Sequence, residues 1–377
     1  MKVQCLQENL TKGLSVVGRA VATRTTLPVT QNILIETEQA GLKLSATNLE
    51  MAITTSVGAV VEEPGSITVP ARLLSEFVGS LTAEQINLDS NEQNTSLIVT
   101  GGKFKGTIQG TSSDDFPPVP QVEGGVEINI DTSVFRQAIS RVAFSVATEE
   151  SRPVLTGVKF ELRNDEYVLV GADGFRLAVH EGKLTTPVSE DIDGIIPGRS
   201  LQELNRLLGE TDESLDIRMS SEKGQIYFKV GDVELVSQLL AGAFPNYKPL
   251  IPTEHKTKVR APLSEWTRII KSASIFARDG SGIVKLEIVP GSEEVSGKII
   301  VEARAEDIGT HRGEIDVEVE GEASKIAFNS RYLIDVLQHM DTGNITLETL
   351  TPSSPGVFRM ENEDNYLHVV MPMFVQW

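Results

Sequence analysis

The sequence predicts an α+β protein of three similar domains, each with two helices packed on antiparallel sheets. Three observations lead to this fold class. A set of short motifs recurs three times, in the same order, along the 377 residues. Within each repeat the apolar pattern alternates twice between one helix and a group of short strands. Each repeat has about 125 residues, a length that a single hydrophobic core can support.

The repeats are recognised by three anchors. An arginine near the start of an apolar helix occurs in Pro70-Ala71-Arg72, Pro197-Gly198-Arg199 and Asn329-Ser330-Arg331. An apolar residue followed by proline closes each repeat, at Phe116-Pro117, Phe244-Pro245 and Met371-Pro372. An amphipathic helix opens each repeat, built on Leu10, Phe135 and Trp266. Because all three anchors keep a spacing of about 125 to 132 residues, we predict domains at residues 1–124, 125–252 and 253–377.

The elements of the first repeat follow from its apolar spacing. A short strand comes first, and then a helix whose buried stripe is Leu10, Leu14, Val17 and Val21. Pro28 ends this region. The pattern then predicts strands at 31–38, 42–46 and 67–69, the Arg72 helix, and strands at 86–88, 97–100 and 105–109. Glu123-Gly124-Gly125 is the predicted linker to the second repeat.

The second and third repeats have the same order of elements. The second places a helix on Phe135, strands at 156–162, 215–219, 225–230 and 234–239, and the Arg199 helix between them. The third runs from the Trp266 helix through strands at 284–288 and 299–303 to the Arg331 helix. Strands at 345–347, 357–360 and 367–371 complete it.

A hairpin stands at the middle of the chain. Two β-prone apolar runs flank Asp173-Gly174, a dipeptide that accepts positive φ at both central positions of a type I′ turn. We therefore predict a tight hairpin at this point, with Phe175 and Arg176 following its turn. In the first repeat Asn48-Leu49-Glu50 takes the same place.

Composition limits the cellular setting. With the single cysteine Cys5, no intramolecular disulfide can form, which suits a reducing compartment. No apolar run is long enough to span a membrane, and residues 1–5 lack the charged start and apolar core of a signal peptide. We expect a cytoplasmic protein that is neither exported nor inserted in a membrane.

Formal charge is distributed unevenly along the chain. The total is −19, which by itself disfavours a nucleic-acid partner because DNA affinity depends on neutralising phosphates. The six predicted helices nevertheless carry +7, so the remainder carries −26. One hypothesis is that the basic helix faces line a common concave surface, and the alternative is that they are ordinary solvated faces.

Recognisable catalytic chemistry is missing. The five histidines are scattered and show no metal-ligand spacing. The sequence has no nucleophile elbow, P-loop or dinucleotide fingerprint. We therefore expect a protein that is not an enzyme and has no cofactor and no metal site. The competing class is a hydrolase or nuclease that relies on carboxylates alone, since such sites are hard to detect in one sequence.

Several motifs together resemble a known family. They are Thr47-Asn48-Leu49-Glu50, Arg152-Pro153-Val154-Leu155-Thr156-Gly157-Val158, Ala172-Asp173-Gly174-Phe175-Arg176-Leu177-Ala178, Phe244-Pro245-Asn246-Tyr247 and Met371-Pro372-Met373. In these motifs, and over its whole length, the chain resembles the bacterial DNA polymerase III β subunit, the sliding clamp. The resemblance implies the DNA clamp fold and a head-to-tail homodimeric ring with duplex DNA passing through its hole. The implied function is that of a processivity factor, which tethers the replicative polymerase without reading sequence.

The basic helices and the resemblance together suggest residues for each interaction. The expected phosphate contacts, sequence-independent by nature, are Arg19, Arg24, Arg136, Arg141, Arg199, Arg206, Arg268, Lys271 and Arg278. The resemblance places a dimer interface at Leu74, Ile108, Ile275 and Phe276. The alternative is that Ile275 and Phe276 are core residues of the third domain.

A third set of residues is expected to form a pocket for short partner peptides. The Asp173-Gly174 hairpin, the Phe244-Pro245 boundary and the residues after the last strand would meet at a domain junction, which is a usual place for a binding site. The resemblance implies peptides with glutamine and bulky apolar anchors, carried by the replicative polymerase, the clamp loader and repair proteins. The alternative is that these side chains only seal the junction. The pocket residues are Arg152, Leu155, Gly174, Phe175, Arg176, Leu177, Pro245, Leu250, Val370, Met371, Pro372 and Met373.

Two features depart from the family pattern, the hairpin sequence and the chain ending. Ala172 and Phe175 stand where the family usually has threonine and a tyrosine or histidine, and Phe374-Val375-Gln376-Trp377 extends beyond the usual short ending. These departures concern the shape and affinity of the pocket more than its location. The runner-up function is a clamp paralogue, or another scaffold that encircles DNA, serving repair.

Overall fold

The computed structural model describes residues 1–39, 41–90, 95–120, 124–149, 151–209, 214–306 and 308–376. These residues form two compact units. Unit 1 contains residues 1–132, 185–192 and 199–239, and unit 2 contains residues 133–184, 193–198 and 240–377. Glu123 of the predicted linker and Trp377 lie outside the described residues. Gly124 and Gly125 follow with φ of +80° and +92°, conformations that favour glycine.

Six α-helices are present among the described residues, two for each sequence repeat. They are α1 (Gln7–Val17), α2 (Ala71–Ser80), α3 (Thr132–Val142), α4 (Gly198–Gly209), α5 (Leu263–Arg278) and α6 (Ser330–Gln338). The predicted arginine anchors lie at the starts of α2, α4 and α6, and Leu10, Phe135 and Trp266 are at most 1% exposed within α1, α3 and α5. The helix predictions are therefore confirmed in place and in buried face.

One helix is shorter than predicted. α1 ends at Val17, and the 3-10 turn Gly18–Ala20 follows it. Val21 is therefore only half-buried and lies outside the helix. Arg19 lies in this turn and Arg24 in the loop after it. Neither belongs to the basic face of α1, although the sequence predicts both on that helix.

In the described ranges, twenty-four strands accompany the helices. The first sixteen are β1 (Lys2–Leu6), β2 (Asn32–Glu38), β3 (Gly41–Thr47), β4 (Met51–Glu63), β5 (Ser66–Pro70), β6 (Gln85–Ser90), β7 (Ser96–Gly101), β8 (Phe104–Gln109), β9 (Val126–Ile128), β10 (Gly157–Arg163), β11 (Glu166–Ala172), β12 (Arg176–Lys183), β13 (Ile192–Pro197), β14 (Leu215–Ser220), β15 (Gln225–Val230) and β16 (Val233–Gln238). The last eight are β17 (Thr257–Pro262), β18 (Ile283–Val289), β19 (Gly297–Ala305), β20 (Gly309–Gly321), β21 (Ser324–Asn329), β22 (Asn344–Thr349), β23 (Gly356–Met360) and β24 (Tyr366–Val370).

Unit 1 is organised by one antiparallel sheet of twelve strands. Its main order is β8-β7-β6-β1-β4-β16-β15-β14-β9, and β3, β2 and β5 extend from the other part of the long strand β4. α1 packs against β4 and β3 and against α2. Because β16 pairs with β4, strands of the second repeat complete a sheet begun by the first.

Unit 2 repeats this arrangement with the other half of the chain. Its twelve strands follow the order β13-β10-β11-β12-β24-β23-β22-β17-β20-β19-β18-β21. α5 packs on β18, β19 and β20 and against α6. The pairing of β24 with β12 again joins strands of two repeats, from Arg176↔Val370 to His180↔Tyr366. Each compact unit therefore combines one and a half sequence repeats, while the boundaries at 124/125 and 252/253 stay predictions.

Candidate functional sites

The central residues of the hairpin between β11 and β12 lie one position later than predicted. The Asp173 N–H donates to the Arg176 carbonyl at 3.3 Å, so Gly174 and Phe175 are the central residues. Of these four residues only Gly174 has positive φ, at +94°. A type I′ turn requires positive φ at both central positions, so the prediction of that turn on Asp173-Gly174 is wrong.

The physical reason lies in the aspartate side chain. Asp173 Oδ1 accepts hydrogen bonds from the N–H groups of Phe175 at 2.8 Å and Arg176 at 3.0 Å. An aspartate that bonds to backbone N–H groups two and three residues on starts a turn instead of occupying its centre. Residues 173–176, named here the 173–176 tip, therefore present Phe175 outward, with 59% of it exposed.

Arg176 fastens this tip to α6 and to the segment after α3. Its guanidinium bonds to Asp173 Oδ2 at 2.9 Å, to Asp335 Oδ2 at 2.6 Å and to the Phe144 carbonyl at 3.0 Å. The same group lies over the rings of Tyr332 and Phe144, 4.7 and 5.4 Å from their centroids. Its side chain is only 9% exposed. The predicted role of Arg176 as a rim cation is therefore corrected, because its guanidinium is largely buried and each of its three nitrogens donates a bond within the fold.

Sequence reasoning missed the partners of Arg176. Tyr332 and Asp335 stand on α6, one and four residues after the Arg331 anchor, and Phe144 follows α3. The Phe144 ring also stacks on His339, with 3.9 Å between centroids, and on His368 at 5.4 Å. The anchor motif marked the right helix. Nothing in its spacing indicated which side chains would reach the hairpin.

The segment after β24 lies beside the 173–176 tip. The Met371 N–H donates to the Phe175 carbonyl at 2.8 Å, and the Met373 N–H donates to the Ala327 carbonyl at 2.7 Å. Met371 is 42% exposed, while Pro372 and Met373 are half-buried. The predicted meeting of the hairpin with the closing Met-Pro-Met motif is therefore present in unit 2.

The remaining predicted pocket residues divide by exposure. Leu155, Leu177 and Val370 are buried, at 6%, 3% and 0%. Leu177 belongs to a cluster with Val170, Val179, Tyr247, Val357 and Val369, against which Phe244 and Ile251 also pack. Beside this cluster a cavity of about 400 Å³ is lined by Ile251 and Val357, with Glu348 and Arg359 among its polar residues. These buried residues can therefore act only as a floor beneath the exposed ones.

The exposed residues form the rim of this floor. Leu250 is 56% exposed in the 3-10 turn Lys248–Leu250, and Pro245 is exposed just before it. A Cβ placed on Gly174 would lie 3.0 Å from Arg152 Nη1, so the exposed guanidinium of Arg152 lies over this glycine. The Phe175 ring stacks on Tyr332 with 6.4 Å between centroids. Apolar side chains with one cation thus lie around a fixed backbone, an arrangement suited to an extended apolar peptide.

Most of the predicted phosphate-binding cations are accessible. Arg24, Arg136, Arg199, Lys271 and Arg278 are exposed, and Arg19 is half-buried. Arg206 pairs with Glu203 at 2.7 Å, and Arg268 pairs with Glu265 in the same helix, while both guanidinium groups stay more than 60% exposed. The Arg268–Glu265 pair is exposed, and such a pair within a helix is weak and can be exchanged for a phosphate. Glu203 is buried, so its pair with Arg206 is not of this kind.

Arg141 is a correction to that set. Its side chain is 2% exposed and bonds to Asp341, and its Nη1 lies 2.9 Å from Glu363 Oε2. Its guanidinium also faces the Tyr366 ring, 5.5 Å from the centroid. A cation that is paired and buried in this way inside unit 2 cannot reach a phosphate. Its position in a helix did not reveal that α3 turns this residue inward.

The predicted dimer-interface residues are only partly at the surface. Ile275 is 58% exposed near the end of α5, and Phe276 is half-buried beside His311. Leu74 and Ile108 are 0% and 3% exposed, so they are core residues and their assignment to an interface is wrong. Their neighbours Leu73 and Phe104 are 51% and 59% exposed. Leu73 lies next to Leu74 on α2 but faces outward. Phe104 is the first residue of β8, which is an edge strand of its sheet.

Two further structural findings concern metals and membranes. Across the described ranges, no group of three or more His, Cys, Asp or Glu side chains is placed to hold a metal ion. None of the helices described is long and apolar enough to cross a membrane.

Comparisons with known proteins agree along the whole chain. Sequence models for three domains of the DNA polymerase III beta subunit match in order, the N-terminal domain at residues 1–120, the central domain at 129–246 and the C-terminal domain at 248–374. The chain is 31% identical over 365 residues to the beta sliding clamp of Staphylococcus aureus, with 94% of both chains covered.

Solved structures give the same result for the fold. A crystal structure of the DNA polymerase sliding clamp from Bacillus subtilis covers 100% of both chains with a TM-score of 0.93 and 28% identity. The Pseudomonas aeruginosa sliding clamp bound to griselimycin also covers 100% of both chains, with a TM-score of 0.89 and 28% identity.

Proposed function

Because this chain belongs to the DNA polymerase III beta subunit family, the bacterial beta sliding clamps, we propose that it encircles duplex DNA and tethers the replicative polymerase as a processivity factor. The observation that carries this proposal is the match of all three family domains, in order, along the chain. Domains at 1–124, 125–252 and 253–377 are part of the proposal. A clamp paralogue confined to repair is not favoured.

The proposed role is mechanical, and no catalytic step is assigned to the chain. A ring holds DNA by topology, so its contacts need only favour phosphates weakly and uniformly. We assign these contacts to Arg19, Arg24, Arg136, Arg199, Arg206, Arg268, Lys271 and Arg278. The strongly acidic remainder of the chain repels DNA, which favours its approach to these basic side chains. Opening the ring would require a separate ATP-driven loader, and the setting we propose is the cytoplasm.

Retention on DNA of different topology tests the tethering function. Once loaded, the protein should stay on closed circular DNA and leave linear DNA by sliding off its ends. Replacing Arg24, Arg136 and Arg199 with alanine should weaken retention equally on unrelated sequences and flatten its salt dependence. The matched control replaces Arg218 and Arg312, which lie on strands outside the proposed contact set. Equal retention on linear and circular DNA would refute the proposal.

We further propose a head-to-tail homodimer in which Ile275 and Phe276 of one copy contact the surface around Leu73 and Phe104 of another. Exposed apolar side chains on two different surfaces suit a heterologous contact, which closes into a ring only when the rotation is right. Leu73 and Phe104 are assigned to this contact in place of Leu74 and Ile108, because the first two side chains are exposed and the last two are buried.

Sedimentation equilibrium tests this contact. A variant with Ile275→Ala and Phe276→Ala, or with Leu73→Glu, should sediment as folded monomer. Leu49→Ala serves as control, because Leu49 is 55% exposed and lies outside the proposed contact. A dimer that persists in both interface variants would place the interface elsewhere.

The partners that use the clamp are proposed to bind through short peptides with glutamine and bulky apolar anchors. Gly174 and Phe175 of the 173–176 tip form the rim with Arg152, Pro245, Leu250 and the Met371-Pro372-Met373 segment. Leu155, Leu177 and Val370 form the floor. Such partners are the replicative polymerase, the loader and repair proteins. Methionine adapts its shape easily, which suits a site that receives several partners in turn.

Peptide binding can be measured separately from the ring. Met373→Ala should weaken a labelled peptide with glutamine, leucine and phenylalanine anchors by about tenfold or more, since truncating a central anchor commonly has that effect. The dimer and its retention on circular DNA should survive. Unchanged peptide affinity would show that partners bind elsewhere.

A further inference from the structure

The irregular segment 371–376 is fastened to unit 2 at three points. Besides the bonds from the Met371 and Met373 N–H groups to Phe175 and Ala327, Lys285 Nζ donates to the Gln376 carbonyl at 2.6 Å. Phe374 lies between two of these points. The fold therefore determines where its backbone sits.

The Phe374 side chain points away from the core despite this anchoring. It is 88% exposed, the highest value for any large apolar side chain in the described ranges. Val375 beside it is half-buried. An aromatic ring held on a fixed backbone and left in water is a typical anchor for an intermolecular contact.

Phe374 continues the apolar surface of the proposed peptide site. Met371, at 42% exposure, is bonded through its backbone to Phe175, which is 59% exposed. An extended chain rises by about 3.3 to 3.6 Å per residue, so the Phe374 Cα lies at most about 11 Å from that of Met371. A peptide that covers Met371 needs only two or three more residues to reach Phe374.

We propose that Phe374 is a specificity contact beyond the proposed groove, selecting partner peptides that carry one more bulky apolar side chain next to the groove anchors. This inference rests on the proposed peptide-binding function. The ring of phenylalanine has no hydrogen-bonding group, so the added recognition favours aromatic and aliphatic side chains and gives no advantage to polar ones.

Two labelled peptides and four proteins test the proposal by fluorescence anisotropy. The core peptide carries glutamine, leucine and phenylalanine anchors, and the extended peptide adds three residues that include a second phenylalanine. The unchanged chain should bind the extended peptide about tenfold more tightly than the core peptide. Phe374→Ala should abolish this preference while leaving core affinity within about twofold. Phe374→Leu should keep part of the preference, and the neighbouring control Val375→Ala all of it.

Several results would overturn the inference. Equal affinity of the unchanged chain for both peptides would show that Phe374 makes no added contact. An equal loss for both peptides in Phe374→Ala would make its role structural, and an equal gain would mean that the segment occupies the groove itself. Failure of the unchanged chain to bind either peptide would instead reject the proposed peptide function.

Discussion

The hairpin tip at residues 48–51 in unit 1 and the 173–176 tip in unit 2 share one backbone design. Asn48 Oδ1 accepts from the N–H groups of Glu50 at 3.0 Å and Met51 at 2.9 Å, as Asp173 does for the residues two and three positions on. The residue after each cap has positive φ, +75° at Leu49 and +94° at Gly174. The carbonyl of the third residue of each tip accepts a hydrogen bond at 2.8 Å from a neighbouring strand. The donor to Glu50 is the N–H of Gln238, which ends β16, and the donor to Phe175 is the N–H of Met371, which follows β24.

The two tips differ in the side chains that follow the cap. Met51 is 2% exposed, and Ser200 Oγ lies 3.8 Å from its sulfur, so this tip ends in an uncharged core contact. Arg176 occupies the equivalent place in unit 2 and binds two carboxylates. The third residue is charged at Glu50 and aromatic at Phe175. The cap thus builds the turn in both units, while the two residues after it decide whether the tip can offer apolar contacts on a rigid support.

The largest effect is expected from converting the second tip to the first with Arg176→Met. Asp173 and Asp335 would lose the cation that binds both of them, although Asp173 would keep its two backbone N–H bonds. Breaking such a buried pair costs about 3 to 5 kcal/mol. Hydrogen exchange of the β12 and β24 amides should accelerate accordingly, while β4 and β16 are unchanged. Met51→Leu is the control, since a swap of similar volume costs less than about 1.5 kcal/mol. Protection that falls by less than about 1 kcal/mol would mean that Arg176 does not hold the tip.

The second largest expected effect is a difference between the two units in how much stability they lose at acidic pH. In unit 2, β12 carries His180 and β24 carries His368, which are 1% and 0% exposed. The equivalent positions in the strand pairing of unit 1 are Thr55 on β4 and Leu235 on β16. Burial, and then the charge of Arg141, lowers the pKa of His180 to about 4. Burial, with the charges of Arg176 and His339, lowers the pKa of His368 well below its ordinary value.

The sign of this effect follows from proton uptake. Between about pH 6.5 and 4 the unfolded chain binds protons that the folded histidines refuse, so stability is full at neutral pH and falls as the pH drops. For His180 the loss reaches about 3 kcal/mol at pH 4. The protection of the β12 and β24 amides, relative to intrinsic exchange at each pH, should therefore fall over this range more than that of β4 and β16. A variant with His180→Thr and His368→Leu should remove the difference, and an unchanged pH profile in this variant would contradict the assignment.

A smaller effect is expected from exchanging the residues with positive φ. Gly174→Ala forces a side chain into a left-handed conformation at a cost of about 1 to 2 kcal/mol. Leu49 already bears such a cost, so Leu49→Gly should be neutral or stabilising by about 1 kcal/mol. Hydrogen exchange of the amides at each tip measures both changes in stability. If both substitutions destabilise their tips, or both stabilise them, φ does not determine the effect.

The smallest effect is expected from Asp173→Asn, which copies the cap of the first tip. An asparagine can still accept both backbone N–H bonds through its oxygen, so only the bond from Arg176 Nε is lost, because the amide NH2 that would face it is a donor, at about 1 kcal/mol. Asp173→Ala removes the cap as well and should cost more. If the two variants are equally stable, the cap bonds contribute nothing.

Much of the architecture was readable from the sequence because its signals are local. The spacing of apolar residues placed Leu10, Phe135 and Trp266 on buried helix faces. The arginine anchors marked the starts of α2, α4 and α6. Helix periodicity and strand alternation depend on a few neighbouring residues, so they survive without knowledge of the fold. The recurrence of the anchors then predicted three similar domains.

Tertiary structure decided what each polar side chain does. Arg141 and Arg136 share one helix, yet one is buried with Asp341 and Glu363 while the other is exposed. Arg176 meets Asp335 across 159 residues of sequence, and β16 and β24 each pair with a strand of the preceding repeat. Ion pairs and sheet partners form between residues distant in sequence, and the stability of each depends on burial that only the packed chain provides. Neither their partners nor their exposure is encoded in local spacing.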